Sequence, residues 1–439
     1  MAQTIRLRSL LTAAAMVPML ALAACGGNSG SSASPEPGGS AAPGEAKVSI
    51  QVFTEFVGSH PFAPYWKQRL QAFKDEHPNI DVKVEEIAGA GNNSMDGKLK
   101  VLISSGELPD VFLTNDKDMI EIAKNANLLT DLKPMLDQDA DFNGQLDQGD
   151  LEDWNNGTEH VYGISSHKDF YGYFYNKEMF EKAGITPAGT WDEFFANLEK
   201  LKETGVAPLS LETKNVFVSS SMLLALTGTQ SAEGNRFALT PSPGSYETPE
   251  FIEAAKQLQN MYMNYTTKDA IGGDYAVAQN NFFNEKTAIF STGTWDISLI
   301  RDGAPEGFGD KVGVAMFPNN GIFSFPAYAW FSGSKDDAKA KAAYEFIKHF
   351  NNKEDQGVRL EMLDFMPVDT SINLSEYEVD PLLQDYINMR DDVQYRMMSP
   401  WRVYQSSVSA IISQELAALG TGASTPEQFA KRLTEAANK

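Results

Sequence analysis

The chain has 439 residues, is 42% hydrophobic, and carries 36 basic against 59 acidic side chains, a formal net charge of −23. That balance excludes a nucleic-acid partner and excludes lying on an anionic membrane surface; otherwise it is a solubility term. One cysteine in the whole chain excludes a disulfide framework.

In chain order, Arg6 and Arg8 precede an apolar run from Leu10 to Ala21, the pattern of an export signal and too short for a spanning helix. Leu22-Ala23-Ala24-Cys25 then resembles the lipobox of bacterial lipoproteins. The resemblance implies loss of residues 1–24 and a diacylglycerol on Cys25, and two acyl chains anchor stably where one would be marginal. Residues 26–46 are Gly, Ser, Ala, Pro, Asn and Glu, with nothing to bury, and read as a flexible tether. Coil scaling gives it a reach of roughly 25 Å. The remainder, from residue 47 on, is longer than one common core supports and suggests two lobes.

Val48-Ser-Ile-Gln-Val52 alternates as a strand, and Trp66, Leu70 and Phe73 recur at helical spacing up to His77-Pro78. Residues 81–87 alternate again, a helix is predicted over about 96–104, and 109–114 reads as a more continuously apolar strand. Strand and helix in this alternation mean a parallel sheet covered by helices. Its ligand-facing rim would lie beyond the strand ends, at Thr54-Glu55, Asn92-Asn93 and Asn115-Asp116. A second lobe is expected from about residue 165. There, Thr190-Trp-Asp-Glu193 and Thr425-Pro-Glu-Gln428 are capping boxes. Helices are also predicted over 249–264, 335–350 and 403–418. Tyr171, Tyr173 and Tyr175 alternate as on a strand with one face buried and one exposed, so they are read as packing rather than as iron ligands.

Four stretches resemble the family 1 extracellular solute-binding proteins, of the carbohydrate, maltose-binding-protein-like type. They are Lys98-Leu-Lys-Val-Leu-Ile-Ser-Ser-Gly-Glu-Leu-Pro-Asp110-Val, Tyr173-Phe-Tyr-Asn-Lys-Glu-Met-Phe-Glu-Lys-Ala-Gly-Ile185 with Thr190-Trp-Asp-Glu-Phe194, Phe283-Asn-Glu-Lys-Thr-Ala-Ile-Phe-Ser-Thr-Gly-Thr-Trp295, and Lys341-Ala-Ala-Tyr-Glu-Phe-Ile-Lys348. Where this chain has Glu285-Lys-Thr-Ala-Ile289, relatives often carry Gly-Lys-Ala-Ala-Met, a change read here as conservative.

The resemblance implies an α/β, two-lobed periplasmic-binding-protein-like fold, each lobe a mixed or parallel sheet flanked by helices. Crossovers near 164–166, 328–331 and 365–370 would act as hinges. The N-terminal lobe would be 47–164 plus 331–367 and the C-terminal lobe 165–330 plus 368–439. It also implies a receptor of an ABC importer, with membrane permease subunits as partners, a carbohydrate as cargo, and a monomer at the outer face of the cell membrane. A sugar offers apolar C–H faces to aromatics and an equator of hydroxyls to carboxylates and amides. On that basis Trp295, Glu55 and Asp169 match positions where relatives meet sugar, Asn115 and Asp116 lie on the rim, and Tyr328 lies at a crossover. Of Trp401 and Tyr404, one is expected in the cleft and the other in packing. Arg402 matters if it points inward.

Other chemistries were weighed. Asp139-Ala-Asp141-Phe-Asn143-Gly-Gln-Leu-Asp147-Gln-Gly-Asp150 has oxygen ligands at calcium-loop spacing, with Asp instead of Glu at position 12, so a structural calcium is a candidate there. The histidines at 60, 77, 160, 167 and 349 show no H-E-x-x-H spacing, and there is no G-x-S-x-G and no phosphate-binding glycine loop. The expectation is a binding protein without catalysis and without a required cofactor. A secreted glycan hydrolase, or a receptor for polyamine or metal, is the alternative.

Overall fold

The computed structural model describes residues 47–439 apart from Ser59, 86–91, 156–157 and Thr370; the export signal, Cys25 and the tether lie outside the described residues. In chain order the strands are β1 (Val48–Phe53), β2 (Ile80–Glu85), β3 (Val111–Thr114), β4 (Gly163–Ser165), β5 (Lys168–Tyr171), β6 (Tyr173–Asn176), β7 (Ala207–Ser210), β8 (Thr287–Phe290), β9 (Val312–Ala315), β10 (Gly321–Pro326), β11 (Ala329–Phe331) and β12 (Tyr395–Met397).

The first sheet has the order β2-β1-β3-β11-β4. β1 runs parallel to β2 and β3, and β11 pairs antiparallel with β3 and β4. Successive residues serve opposite faces, as the pleat requires. Ile50, Val52, Val111, Leu113 and Trp330 enter one core, while Phe53, Phe112 and Phe331 enter the other. Two further sheets, β7-β8-β6-β9 and β12-β10-β5, share a single second core. Through it runs the helix Phe217–Gly228, buried at every residue from Val218 on. Its small and apolar residues let it be surrounded on every face. The chain passes from the first sheet to the second between Ser165 and Lys168 and returns between Pro326 and Ala329.

Local signals fold as their chemistry dictates. Both capping boxes form, at Thr190–Glu193 and Thr425–Gln428, and Thr248 caps the helix Pro249–Asn264. Four expectations change. The helix expected at 96–104 begins earlier, at Asn92. The helix expected from Val403 starts at Ser406, because Ser399 caps a separate turn, Pro400–Val403, and Tyr404 is extended at φ −96°, ψ 96°. The tyrosines at 171, 173 and 175 do not share one half-exposed strand. Gly172 breaks it into β5 and β6, which belong to different sheets, and Tyr171 and Tyr173 are both fully buried. A Cβ at Gly172 would lie 2.1 Å from the Ala315 carbonyl oxygen, so only glycine permits this approach. Nor is Glu285 a conservative change: its backbone is left-handed, φ +55°, where glycine is at ease, and its carboxylate is held by Lys311 at 2.9 Å.

The crossovers converge on the helix Lys353–Leu363. Asp355, wholly buried, accepts from Tyr65 Oη at 2.7 Å and Arg69 Nε at 3.1 Å, and pairs with Arg359 at 2.9 Å. Arg359 Nη1 donates to the Ser166 carbonyl at 2.7 Å, and Gln356 Nε2 donates to the same oxygen at 3.0 Å. Gln356 Oε1 in turn accepts from Val368 N at 2.9 Å. One helix therefore grips two of the three crossovers. Removing Asp355 would strand two buried guanidinium groups. Asp355→Ala is expected to lower unfolding free energy by about 3–5 kcal/mol in urea titration, whereas loss of the exposed Lys133–Asp137 pair would change it little.

Candidate functional site

On the first lobe, β1 and β3 end side by side and deliver Glu55 and Asn115-Asp116 to one rim. Glu55 is only 8% exposed. Burial pushes its carboxyl up to about 7, against a hydrogen bond from Tyr328 that favours the ionised form; the nearby Asp96 raises it further. Asp96 is itself pushed up to about 6 by burial and by Asp116. Asp116 is otherwise engaged: it caps the helix Lys117–Asn125 through Met119 N and pairs with Lys100 at 2.8 Å. Asn115 is half-buried on the same rim. Tyr328 lies at the return crossover, with His167 at 5.9 Å between ring centroids and Phe56 at 6.2 Å. Histidine 167 stacks flat on Phe365 at 4.0 Å, and burial holds its imidazole neutral, far below the usual range.

On the second lobe Trp295 stands in the turn Thr294–Asp296 that follows β8. It packs against the cores of both lobes and remains partly exposed. Tyr171 and Phe217 meet its ring edge to face, with centroids at 5.2 and 5.3 Å. Its Nε1 donates to Tyr275 Oη at 2.9 Å. Tyr275 Oη donates to Asp296 Oδ2 at 2.5 Å, and Thr292 Oγ1 and Gln279 Nε2 donate to the same carboxylate at 2.8 Å each. Asp296 is fully buried, and burial lifts its carboxyl to about 6 even with these donors. A Cβ on Gly293 would come within 2.1 Å of the Trp295 ring, so the indole lies directly on glycine backbone.

Trp401, 44% exposed, reaches the same aromatic group through Phe217 at 6.1 Å. Tyr404 does not: its ring is buried and stacks on Tyr246 at 5.8 Å. Asp169 on β5 faces Phe325 of β10. Its Oδ1 is buried without a hydrogen-bond partner, and burial pushes the carboxyl up to about 7 despite the charge of Arg402. Arg402 points inward, as a buried side chain against Asp153 at 2.5 Å.

The acidic segment does not form a calcium loop. Residues 140–145 are helical, Asp139 caps that helix and pairs with Lys348, and Asp141 is exposed. Asn143 lies within the same helix, and Asp147 and Asp150 both pair with Lys168, at 2.8 and 3.1 Å. Among the described residues no group of three or more His, Cys, Asp or Glu side chains could hold a metal ion. Sequence reasoning passed over Phe217, Tyr275 and Asp296, which carry no motif. The one available signal was glycine 293 two places before a tryptophan.

The site thus sets partly exposed aromatic faces beside buried carboxylates. The model of the bacterial extracellular solute-binding protein family matches residues 59–357. The multiple sugar-binding protein of Streptococcus mutans is 25% identical over 327 residues, 70% of this chain and 71% of its own length. Among solved structures, a chitin oligosaccharide binding protein superposes with a TM-score of 0.75 at 23% identity, covering 89% of this chain and 98% of that one. A Streptococcus pneumoniae solute-binding protein in complex with the blood group A-trisaccharide gives 0.73 at 22%, covering 88% and 99%. These structures share the two-lobed fold. With a family match across most of its described length, this chain belongs to the bacterial extracellular solute-binding proteins.

Proposed function

We propose that the protein is the substrate-binding receptor of an ABC importer and captures a carbohydrate, an oligosaccharide rather than a single ring, between its lobes. The observation that carries this reading is Trp295: an indole fixed from behind by Tyr275 and Asp296, partly exposed, and packed against both cores. Such a face suits the C–H surface of a sugar, and its position lets one ligand touch both lobes and favour closure. Glu55, with Asn115 beside it on the first-lobe rim, and Asp169 on β5 would accept hydroxyls. Trp401 would extend the aromatic wall. That relatives include a multiple sugar-binding protein and a melibiose/raffinose/stachyose-binding protein supports a sugar as cargo.

In this reading the lobes expected at 47–164 plus 331–367 and 165–330 plus 368–439 change at one boundary: the second lobe ends at Tyr328 and the first resumes at Ala329. The return crossing is drawn at Tyr328, because Ala329 and Trp330 already pair within the first sheet. Cys25 carries a lipid that anchors the exported receptor at the outer surface of the membrane. The receptor acts as a monomer, needs no cofactor, and hands its cargo to the permease subunits.

A thermal-shift screen against raffinose, maltose, chito- and xylo-oligosaccharides tests this, with putrescine and calcium as controls. A ligand that binds only the folded state raises Tm by mass action. A sugar hit supports the reading; a shift with putrescine or calcium alone overturns the cargo.

Two variants sharpen it. Trp295→Ala should weaken binding of the sugar found by about 2–4 kcal/mol in calorimetry and leave the fold intact. Gly293→Ala, which pushes the ring off its seat, should weaken it in the same direction.

Binding should also depend on pH. Sugar hydroxyls donate to ionised carboxylates, so binding lowers a carboxyl that stands near 7 in the free receptor and releases a proton. Affinity should therefore rise with pH up to about 7 and level off above it, and Glu55→Gln should flatten the profile. For stability the sign is opposite. A carboxyl raised in the folded state stabilises below its unfolded value and loses that contribution as pH climbs through the folded one. At pH 8 Glu55→Gln should raise the Tm of the ligand-free protein while binding falls.

A further inference from the structure

Arg402 lies on the turn Pro400–Val403, and the neighbouring Val403 belongs to the second-lobe core. Its guanidinium nevertheless reaches the first lobe. Nη1 pairs with Asp153 Oδ2 at 2.5 Å on the helix Gln148–Asn155, whose Trp154 sits in a first-lobe core. Nη2 donates back to the Pro326 carbonyl, at the end of β10, at 2.7 Å. The guanidinium carbon lies 5.4 Å from the Trp154 ring and 5.7 Å from the Phe325 ring, one from each lobe. The side chain is 7% exposed. Lys117 shares Asp153 at 3.1 Å, and Asp150 and Asp169 complete the charge around the group. One turn further on, Ser406 donates its N at 3.2 Å and its Oγ at 2.5 Å to Asp118 Oδ2 of the first-lobe helix Lys117–Asn125.

We infer that Arg402 is a positioning residue for closure, a latch that joins the lobes through Asp153 before any ligand arrives, with the Ser406–Asp118 contact as its second point. An arginine suits this place because its planar fork serves Asp153 and a carbonyl of the other lobe at once while its faces lie on aromatic rings. The latch is reversible by its own physics. On opening, both charges regain water, so the net preference is far smaller than the cost of deleting one partner from the closed form. Its functional consequence is a closed fraction that exists without cargo, and apparent affinity scales with that fraction.

The test uses the full chain with Cys25→Ser. Val101→Cys and Met263→Cys, on exposed helix positions of the first and second lobes, carry a fluorophore pair for single-molecule energy transfer. In the ligand-free protein, Arg402→Gln and Asp153→Asn should each raise the open-to-closed ratio about fivefold or more. The double variant should go no further than Arg402→Gln alone, since that change already removes the contact with Asp153. Unchanged ratios in both singles, or full additivity, would overturn the inference. Should Arg402→Gln melt early by circular dichroism, Ser406→Ala removes only a hydroxyl; it must shift the ratio the same way, and no shift there with none in Asp153→Asn sinks the latch. The measurement involves no sugar, so its outcome is independent of the cargo reading.

Discussion

A single wholly buried carboxylate, Asp355, sets what the rest of the molecule can do. It bridges Arg69 and Arg359 inside the first lobe, with Glu354 at 2.6 Å from Arg69 supplying the second negative charge, and Arg359 spends its remaining donors on main-chain oxygens of Ser166 and Phe350. Isolated charges at this depth would be prohibitive, and close pairing is the condition for keeping them. The chain leaves the first lobe past Ser166, and Val368 on the later crossover is held by Gln356 of the same helix. The connections between lobes are thus anchored at one end by a rigid polar knot. Motion is left to the few residues beyond it.

Outward from that anchor the molecule divides its labour. The second lobe supplies flat apolar surface, and every ring in it is fixed by something deeper: Trp295 by Tyr275, Tyr275 by Asp296, Phe217 by its place at the start of a buried helix. The first lobe supplies a carboxylate, Glu55, poised between protonation states by burial and Tyr328. A rigid aromatic wall costs little side-chain entropy on binding, and a hydroxyl that donates to a carboxylate makes one of the stronger hydrogen bonds available to a neutral ligand. On the proposed function the two lobes therefore contribute unlike halves of one recognition surface.

Much of this was legible in the amino-acid order, and the reasons differ by element. Strong local chemistry read through: the alternation of Val48 to Val52, the capping boxes at Thr190 and Thr425, the Thr248-Pro249 start. Family stretches placed Trp295 on a turn after a strand. What did not read through depends on distant partners. Nothing near Tyr404 announces that its ring lies on Tyr246, and nothing near Asp139 announces Lys348, which takes the carboxylate that a calcium loop would need. The left-handed backbone at Glu285 was hidden for the same reason, since its compensation comes from Lys311.

Gly172 carries a consequence for how such a receptor changes its preferences over time. The tyrosine before it touches Trp295; the one after it packs with Phe194 and Phe317 in the second-lobe core. One residue without a side chain welds the recognition wall to the hydrophobic interior, so drift at Tyr171 is policed by folding as well as by ligand. Diversification toward new cargo is channelled to positions free of that double duty. Trp401, exposed and joined to the wall through its ring contact with Phe217, is a position where substitution leaves the core undisturbed, and on the proposed function it is where a lineage can explore new cargo.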